Sequence, residues 1–133
     1  MALLGLLVGK FVVYSAFFLW APRLLDIRAR KPGWFALQWA TARLALGLLG
    51  IIPVFLIASA LAAIASASDA AFYAGLYGVR ALIWAGMAVE ICRRHPSKRP
   101  IPWTGWISLG LLLNLSLDVA AHAAGLDGFK YFC

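Results

Sequence analysis

Acidic residues are scarce in this chain. Five Asp plus Glu stand against twelve Lys plus Arg, for a net charge of +7. Charge of either sign is thin, at 13% of residues, where soluble domains carry about 25%. Cysteine and histidine are scarcer still, with two of each. Cys92 and Cys133 cannot frame a disulfide-rich fold, and both are expected to be inert thiols. His95 and His122 fall in different segments, with no third ligand near either, so no metal site is expected. No G-x-S-x-G elbow, Walker loop, H-E-x-x-H, C-x-x-C or dinucleotide fingerprint occurs. The familiar hydrolase, nucleotide-binding, zinc-protease and redox templates are thereby excluded, and no cofactor is expected.

Apolar residues are what the chain has in abundance. They make up 64% of it, against about 45–50% in soluble domains. Long runs with few charges read as membrane-spanning helices, since a bilayer needs about 20 apolar residues per crossing. Four such runs fit into 133 residues, which leaves one integral membrane domain and almost nothing outside it. The expected fold is an all-α, four-helix transmembrane bundle made of two helical hairpins. Its helices are expected at about 2–24, 34–66, 70–91 and 104–124. The first run lacks a basic leader and carries Lys10 in its middle, so it is expected to be a retained helix, not a signal peptide.

The punctuation supports these limits. Trp20 and Pro22 mark the first end, and Pro32-Gly33 breaks the chain before helix two. Pro53 removes a backbone donor inside helix two and is expected to bend it. The Ala/Ser-rich stretch 58–67 suits close packing or emergence from the bilayer. Asp69 and Thr104 are candidate caps for helices three and four. Pro96, Pro100 and Pro102 keep the connection before helix four from being helical throughout. Gly125 and Gly128 end helix four, leaving Phe129, Tyr131 and Phe132 to lie in the interface.

The placement of the basic residues argues topology and not nucleic acid. Arg23, Arg28, Arg30 and Lys31 share one connection, and Arg93, Arg94, Lys98 and Arg99 share another. Both connections fall on the same side of a four-helix bundle, and short Lys/Arg-rich loops stay cytoplasmic. Both termini are therefore expected on the non-cytoplasmic side, in a bacterial inner membrane. Trp20, Trp34, Trp103 and Trp106 flank the basic loops, as an aromatic belt would. The expected partners are the lipid bilayer and either further copies of the chain or a larger membrane protein.

An offset of 70 residues aligns the chain with itself. Lys10 falls on Arg80, Tyr14 on Trp84, Arg23 on Arg93, Arg28 on Lys98 and Pro32 on Pro102. A duplicated hairpin gives this pattern, and so do two hairpins obeying the same topology rules.

Charges inside the spans carry the functional question. Asn114, Asp118 and His122 are spaced i, i+4, i+8 and form one row on a helix. Counted at about 1.5 Å per residue, Lys10, Arg80 and Asp118 lie roughly 10–15 Å from the outer ends of their helices. A polar cluster of Lys10, Arg80, Asp118 and His122 in the outer half is expected, with Asn114, Tyr14 and Tyr77 beside it. It can lock helices together, bind an anionic solute or lipid headgroup, or use Asp118 and His122 for proton transfer. A second group, Arg43, Glu90 and Gln38, is expected nearer the cytoplasm. There it serves either as local pairing at the interface or as an inner gate. Gly5 and Gly9 form a GxxxG that can pack helix one on a neighbour. The readings that follow, in order, are a non-enzymatic accessory subunit, a small oligomeric transporter or anion binder, and a membrane-embedded enzyme.

Overall fold

The computed structural model describes residues 2–65, 68–97 and 99–125. It is all-helical: α1 is Ala2–Leu24, α2 Pro32–Leu49, α3 Ile51–Ala65, α4 Ser68–Arg94 and α5 Trp103–Ala123. Four stretches are long and apolar enough to cross a membrane: Leu4–Leu24, Pro32–Ile57, Phe72–Arg94 and Trp103–Ala123. The second runs through α2 into α3, so among the described residues the five helices make four candidate spans. Cys133, the expected interfacial tail with Gly128, and Lys98 lie outside the described residues.

The interruption sits at Gly50, three residues before the proline expected to cause it. Pro53 has no N–H for the carbonyl of Leu49, and its ring crowds that carbonyl, four residues back. The helix therefore yields at the Leu49–Gly50 junction. Gly50 bonds back to Leu46 at 2.8 Å, and Val54 resumes the ladder to Gly50 at 3.3 Å. A β-carbon on Gly50 would come within 3.0 Å of the Ile83 side chain, so α4 passes close to the break.

Helix ends differ slightly from the expected ones, for local reasons. Helix two starts at Pro32 and not at Trp34. Lys31 is extended, as a residue before proline prefers, and proline fits a first turn where its missing N–H costs nothing. Asp69 lies inside the first turn of α4, where its charge faces the helix's positive end, and is not the residue before it. Pro102, not Thr104, precedes α5. Gly125 ends α5 with a φ of +71°, as expected of a glycine there. After α1, Asp26 takes the same left-handed conformation, with φ 52°. Ile27 N–H then bonds the carbonyl of Pro22 at 3.0 Å, closing a Schellman-type turn.

Helix α1 packs chiefly on α2, and α4 packs on α3 and α5. The core is an aromatic layer in which Trp84, Trp106, Phe18 and Tyr14 are fully buried. Trp84 lies edge-on to Trp106 with centroids 5.6 Å apart and is stacked on Phe18 at 5.9 Å. Gly110 is what lets α5 approach, because any β-carbon there would overlap the Trp84 ring. Trp106 Nε1 donates to the backbone carbonyl of Trp84 at 2.6 Å. Trp106 is thus a core residue and not part of an aromatic belt, whereas Trp20, Trp34 and Trp103 are exposed.

The surface inverts the pattern of a water-soluble domain. Ile52, Phe55, Leu56, Leu82 and Leu112 are each more than half exposed, while Lys10, Arg43 and Arg80 are buried. In water this arrangement loses the hydrophobic driving force on the outside. In a bilayer the outer face meets solvent of its own kind. The distribution supports a membrane protein.

Candidate functional site

The buried polar residues form two tiers, stacked one helical turn apart. Helix α1 supplies Lys10 and Tyr14, α4 supplies Arg80 and Trp84, and α5 supplies Asp118 and Asn114. Each pair is spaced i, i+4, so each helix offers one residue per tier. Helix α2 adds Arg43.

Both tiers can be located by counting from the ends that carry the basic connections. Tyr14 is ten residues from Leu24, and Trp84 ten from Arg94. Arg43 is eleven from Pro32, and Asn114 eleven from Trp103. All four lie about 15–17 Å in, a distance equal to half of a hydrocarbon layer about 30 Å thick. Lys10, Arg80 and Asp118 lie one turn further, in the half away from the basic connections.

In the far tier Asp118 meets two cations. The Arg80 guanidinium binds it in a fork, with Nη1 on Oδ2 and Nη2 on Oδ1 at 3.2 Å. Lys10 Nζ lies 4.0 Å from Oδ1. Lys10 and Arg80 are 1% and 2% exposed, and Asp118 15%. Tyr77 places its ring face 5.3 Å from the Arg80 guanidinium.

In the middle tier Asn114 is the hub. Its Oδ1 accepts from Tyr14 Oη at 2.7 Å and from Arg43 Nη2 at 3.0 Å. Its Nδ2 donates to the Gly110 carbonyl at 2.9 Å, which fixes which end of the amide faces the donors. The Arg43 guanidinium sits between two rings, 5.3 Å from Tyr14 and 5.2 Å from Trp84. Aromatic faces attract such a cation most strongly away from water.

Arg43 therefore belongs to the core and not to the expected inner group. That group does not assemble. Glu90 is held on its own helix, accepting from Arg93 at 2.6 and 2.7 Å and from Arg94 at 2.6 Å. Gln38 is exposed near the first basic connection. His122 also parts from the row it was expected to share. Four residues turn a helix by about 400°, so an i, i+4 row drifts about 40° per step. Asn114 is buried, Asp118 partly so, and His122 is exposed, while Ala121 takes over the inward face.

No family model, curated protein or solved structure matches this chain.

The chemistry of the site thus rests on its own geometry. Beside Arg43 and Arg80, against the Gly50 break, lies a cavity of about 10 Å³ lined otherwise by apolar side chains. That is room for about one water and not for a solute. A larger groove of about 320 Å³ separates α1 and α5 in the far half, with Gly5, Gly9, Ala120 and Ala124 on its walls and Lys10 at its floor. The GxxxG faces this groove, since nothing lies within 4 Å of a β-carbon built on either glycine.

Sequence reasoning missed the aromatic half of the site. The row that carries Asn114 and Asp118 continues backward at the same spacing to Gly110 and Trp106. A glycine and a tryptophan there signal a close helix crossing with a large ring laid across it. The 70-residue offset takes on a geometric meaning too. Lys10 and Arg80, which it aligns, converge on one carboxylate, and Tyr14 and Trp84 flank one guanidinium.

Proposed function

We propose that this chain is a non-enzymatic, multi-pass subunit of a larger membrane system, with its intramembrane charges serving to lock the bundle. The reading places both termini on the non-cytoplasmic side of a bacterial inner membrane, with the basic connections in the cytoplasm. One observation carries it. Arg80 and Lys10 both turn onto Asp118, and the cavity beside Arg80 is about 10 Å³. A solute path through the bundle would need polar groups facing room; here Arg80 and Asp118 face each other, while Lys10 also borders the wider groove between α1 and α5. Use of Asp118 as an acid or base has less support, because two cations hold it and His122 is exposed.

The test is reconstitution. Purified protein in liposomes is expected to give no anion or proton flux above empty liposomes. Mild extraction from native membranes is expected to recover it in a fixed stoichiometry with a larger membrane protein. Flux that disappears in Asp118→Asn and Arg80→Gln variants of intact fold would replace this reading with transport. Catalytic turnover lost in an Asp118→Ala, His122→Ala double variant would replace it with an enzyme.

A second reading has its own observation. The groove between α1 and α5 opens on the far half and reaches Lys10. It suits an anion binder that takes a lipid from that leaflet. Loss of bound lipid in Gly9→Leu, with the Asp118 contacts intact, would favour it.

A further inference from the structure

A wide cleft lies not at the buried tiers but between the two basic connections. It measures about 610 Å³ and is lined by Asp26, Ile27 and Arg28 on one wall and Arg94, His95 and Pro96 on the other. We propose that this cleft binds the phosphate headgroup of an anionic phospholipid. The proposal is independent of whether the chain is an accessory subunit or a transporter.

Its walls are held in place before any ligand arrives. On the first, the Schellman-type turn orients the chain, and Leu25 and Ile27 on either side of Asp26 are buried in the core. Arg28 follows directly and is exposed. On the second, His95 N–H bonds the Ile91 carbonyl at 2.8 Å, and its ring meets Phe35 edge-on at 5.4 Å. Arg94 keeps Nε on Glu90, and the rest of its guanidinium carries further N–H donors. The acid in the cleft, Asp26, has its carboxylate 3.4 Å from Arg99. That pairing offsets the charge that would oppose an anion. Preformed walls remove part of the ordering cost of binding.

The level of the cleft identifies the source of the phosphate. Two membrane-spanning stretches end at its walls, at Leu24 and Arg94. The exposed Trp20, Trp34 and Trp103 lie at the same end of the bundle, and tryptophans favour the headgroup layer. A neighbouring pocket of about 190 Å³ shares His95 and adds Arg30, Lys31 and the apolar edges of Trp34 and Phe35. Cations beside aromatic surface match a glycerophosphate with its acyl chains. Basic pockets between spans on the cytoplasmic side are suited to such headgroups.

Native mass spectrometry of the detergent-purified chain tests this. Dioleoyl phosphatidylglycerol and dioleoyl phosphatidylcholine are titrated separately, so that only the headgroup differs. Phosphatidylglycerol is expected to bind tighter. Arg28→Gln is expected to weaken it about fivefold, roughly the effect of one basic residue near an anionic surface. Phosphatidylcholine binding should stay unchanged. Arg28→Lys should restore most of the preference. Arg23→Gln removes the same charge outside the cleft and should have a smaller effect. Arg28 is exposed, so its variants are expected to fold, and unchanged circular dichroism checks this. Equal binding of the two lipids by the wild type overturns the proposal. So does an equal loss in Arg23→Gln and Arg28→Gln, which would mean a diffuse surface field. Displacement of phosphatidylglycerol by millimolar inorganic phosphate, but not by chloride of equal ionic strength, would assign the cleft to free phosphate and overturn the lipid.

Discussion

Replacing Asp118 by Asn tests the polar seam most directly. The substitution keeps the side chain's shape and one oxygen while removing the charge that Arg80 and Lys10 share. Two cations at 1% and 2% exposure would then face an amide. A unit pair about 4 Å apart attracts by about 4 kcal/mol at an effective dielectric of 20. Desolvation has already taken up much of that gain, so the pair's net worth is smaller. Removing one partner is a different matter, because the remaining charges stay buried, and such losses run to about 3–5 kcal/mol. In a chain of this size that corresponds to a fall in Tm on the order of 10–20 °C. Thermal unfolding in detergent, followed by the fluorescence of the buried tryptophans, reads it. The triple variant Asp118→Asn, Arg80→Gln, Lys10→Met should recover most of the loss, since nothing charged then remains in the seam. A single variant that unfolds within about 2 °C of the wild type, or a triple variant no better than the single, refutes the reasoning.

Three further substitutions probe the neighbouring contacts. Gly110→Ala drives a methyl into the Trp84 ring and should cost about 1–3 kcal/mol by forcing α4 and α5 apart. A shift in tryptophan emission should accompany it. Asn114→Ala removes the oxygen shared by Tyr14 and Arg43 and should cost about 1–3 kcal/mol. Asn114→Asp should recover part of the loss in the same melting assay, because a carboxylate beside Arg43 still accepts both bonds while its second oxygen loses the contact with the Gly110 carbonyl. Trp106→Phe keeps a smaller aromatic ring and loses both the bond to the Trp84 carbonyl and the buried pyrrole edge of the indole. A loss of at least about 1 kcal/mol is expected, with helical circular dichroism unchanged.

The spans were legible because bilayer thickness sets a length that few other constraints imitate. The meeting of Asp118 with Arg80 and Lys10 was legible for a related reason: depth follows from counting along straight helices. Arg43 was not, and the cause is specific. Counted from Trp34 or from Pro32, Arg43 lies nine or eleven residues in, so depth alone already set it apart from Glu90. Grouping the two required the long side chain to reach back toward the basic connections, whereas it turns inward onto Asn114. The exposure of His122 follows from rotation, since a row read over two turns ignores the drift that a single turn conceals. The aromatic layer was hidden in plain composition. Tryptophans near basic loops look interfacial until Gly110 is seen to open the helix surface for one of them.

The distribution of polar groups along the chain has a consequence for biosynthesis. Lys10, Arg43 and Arg80 belong to the first three spans, whereas the oxygens that receive them, on Asn114 and Asp118, belong to α5. A ribosome makes the donors first and those acceptors last. Until α5 enters the bilayer, the earlier helices can offer Arg43 and Arg80 the aromatic faces of Tyr14, Trp84 and Tyr77 but not the oxygens of Asn114 and Asp118. Helix α5 thus acts as a keystone, and a nascent chain stopped before Trp103 would be a natural substrate for membrane quality control.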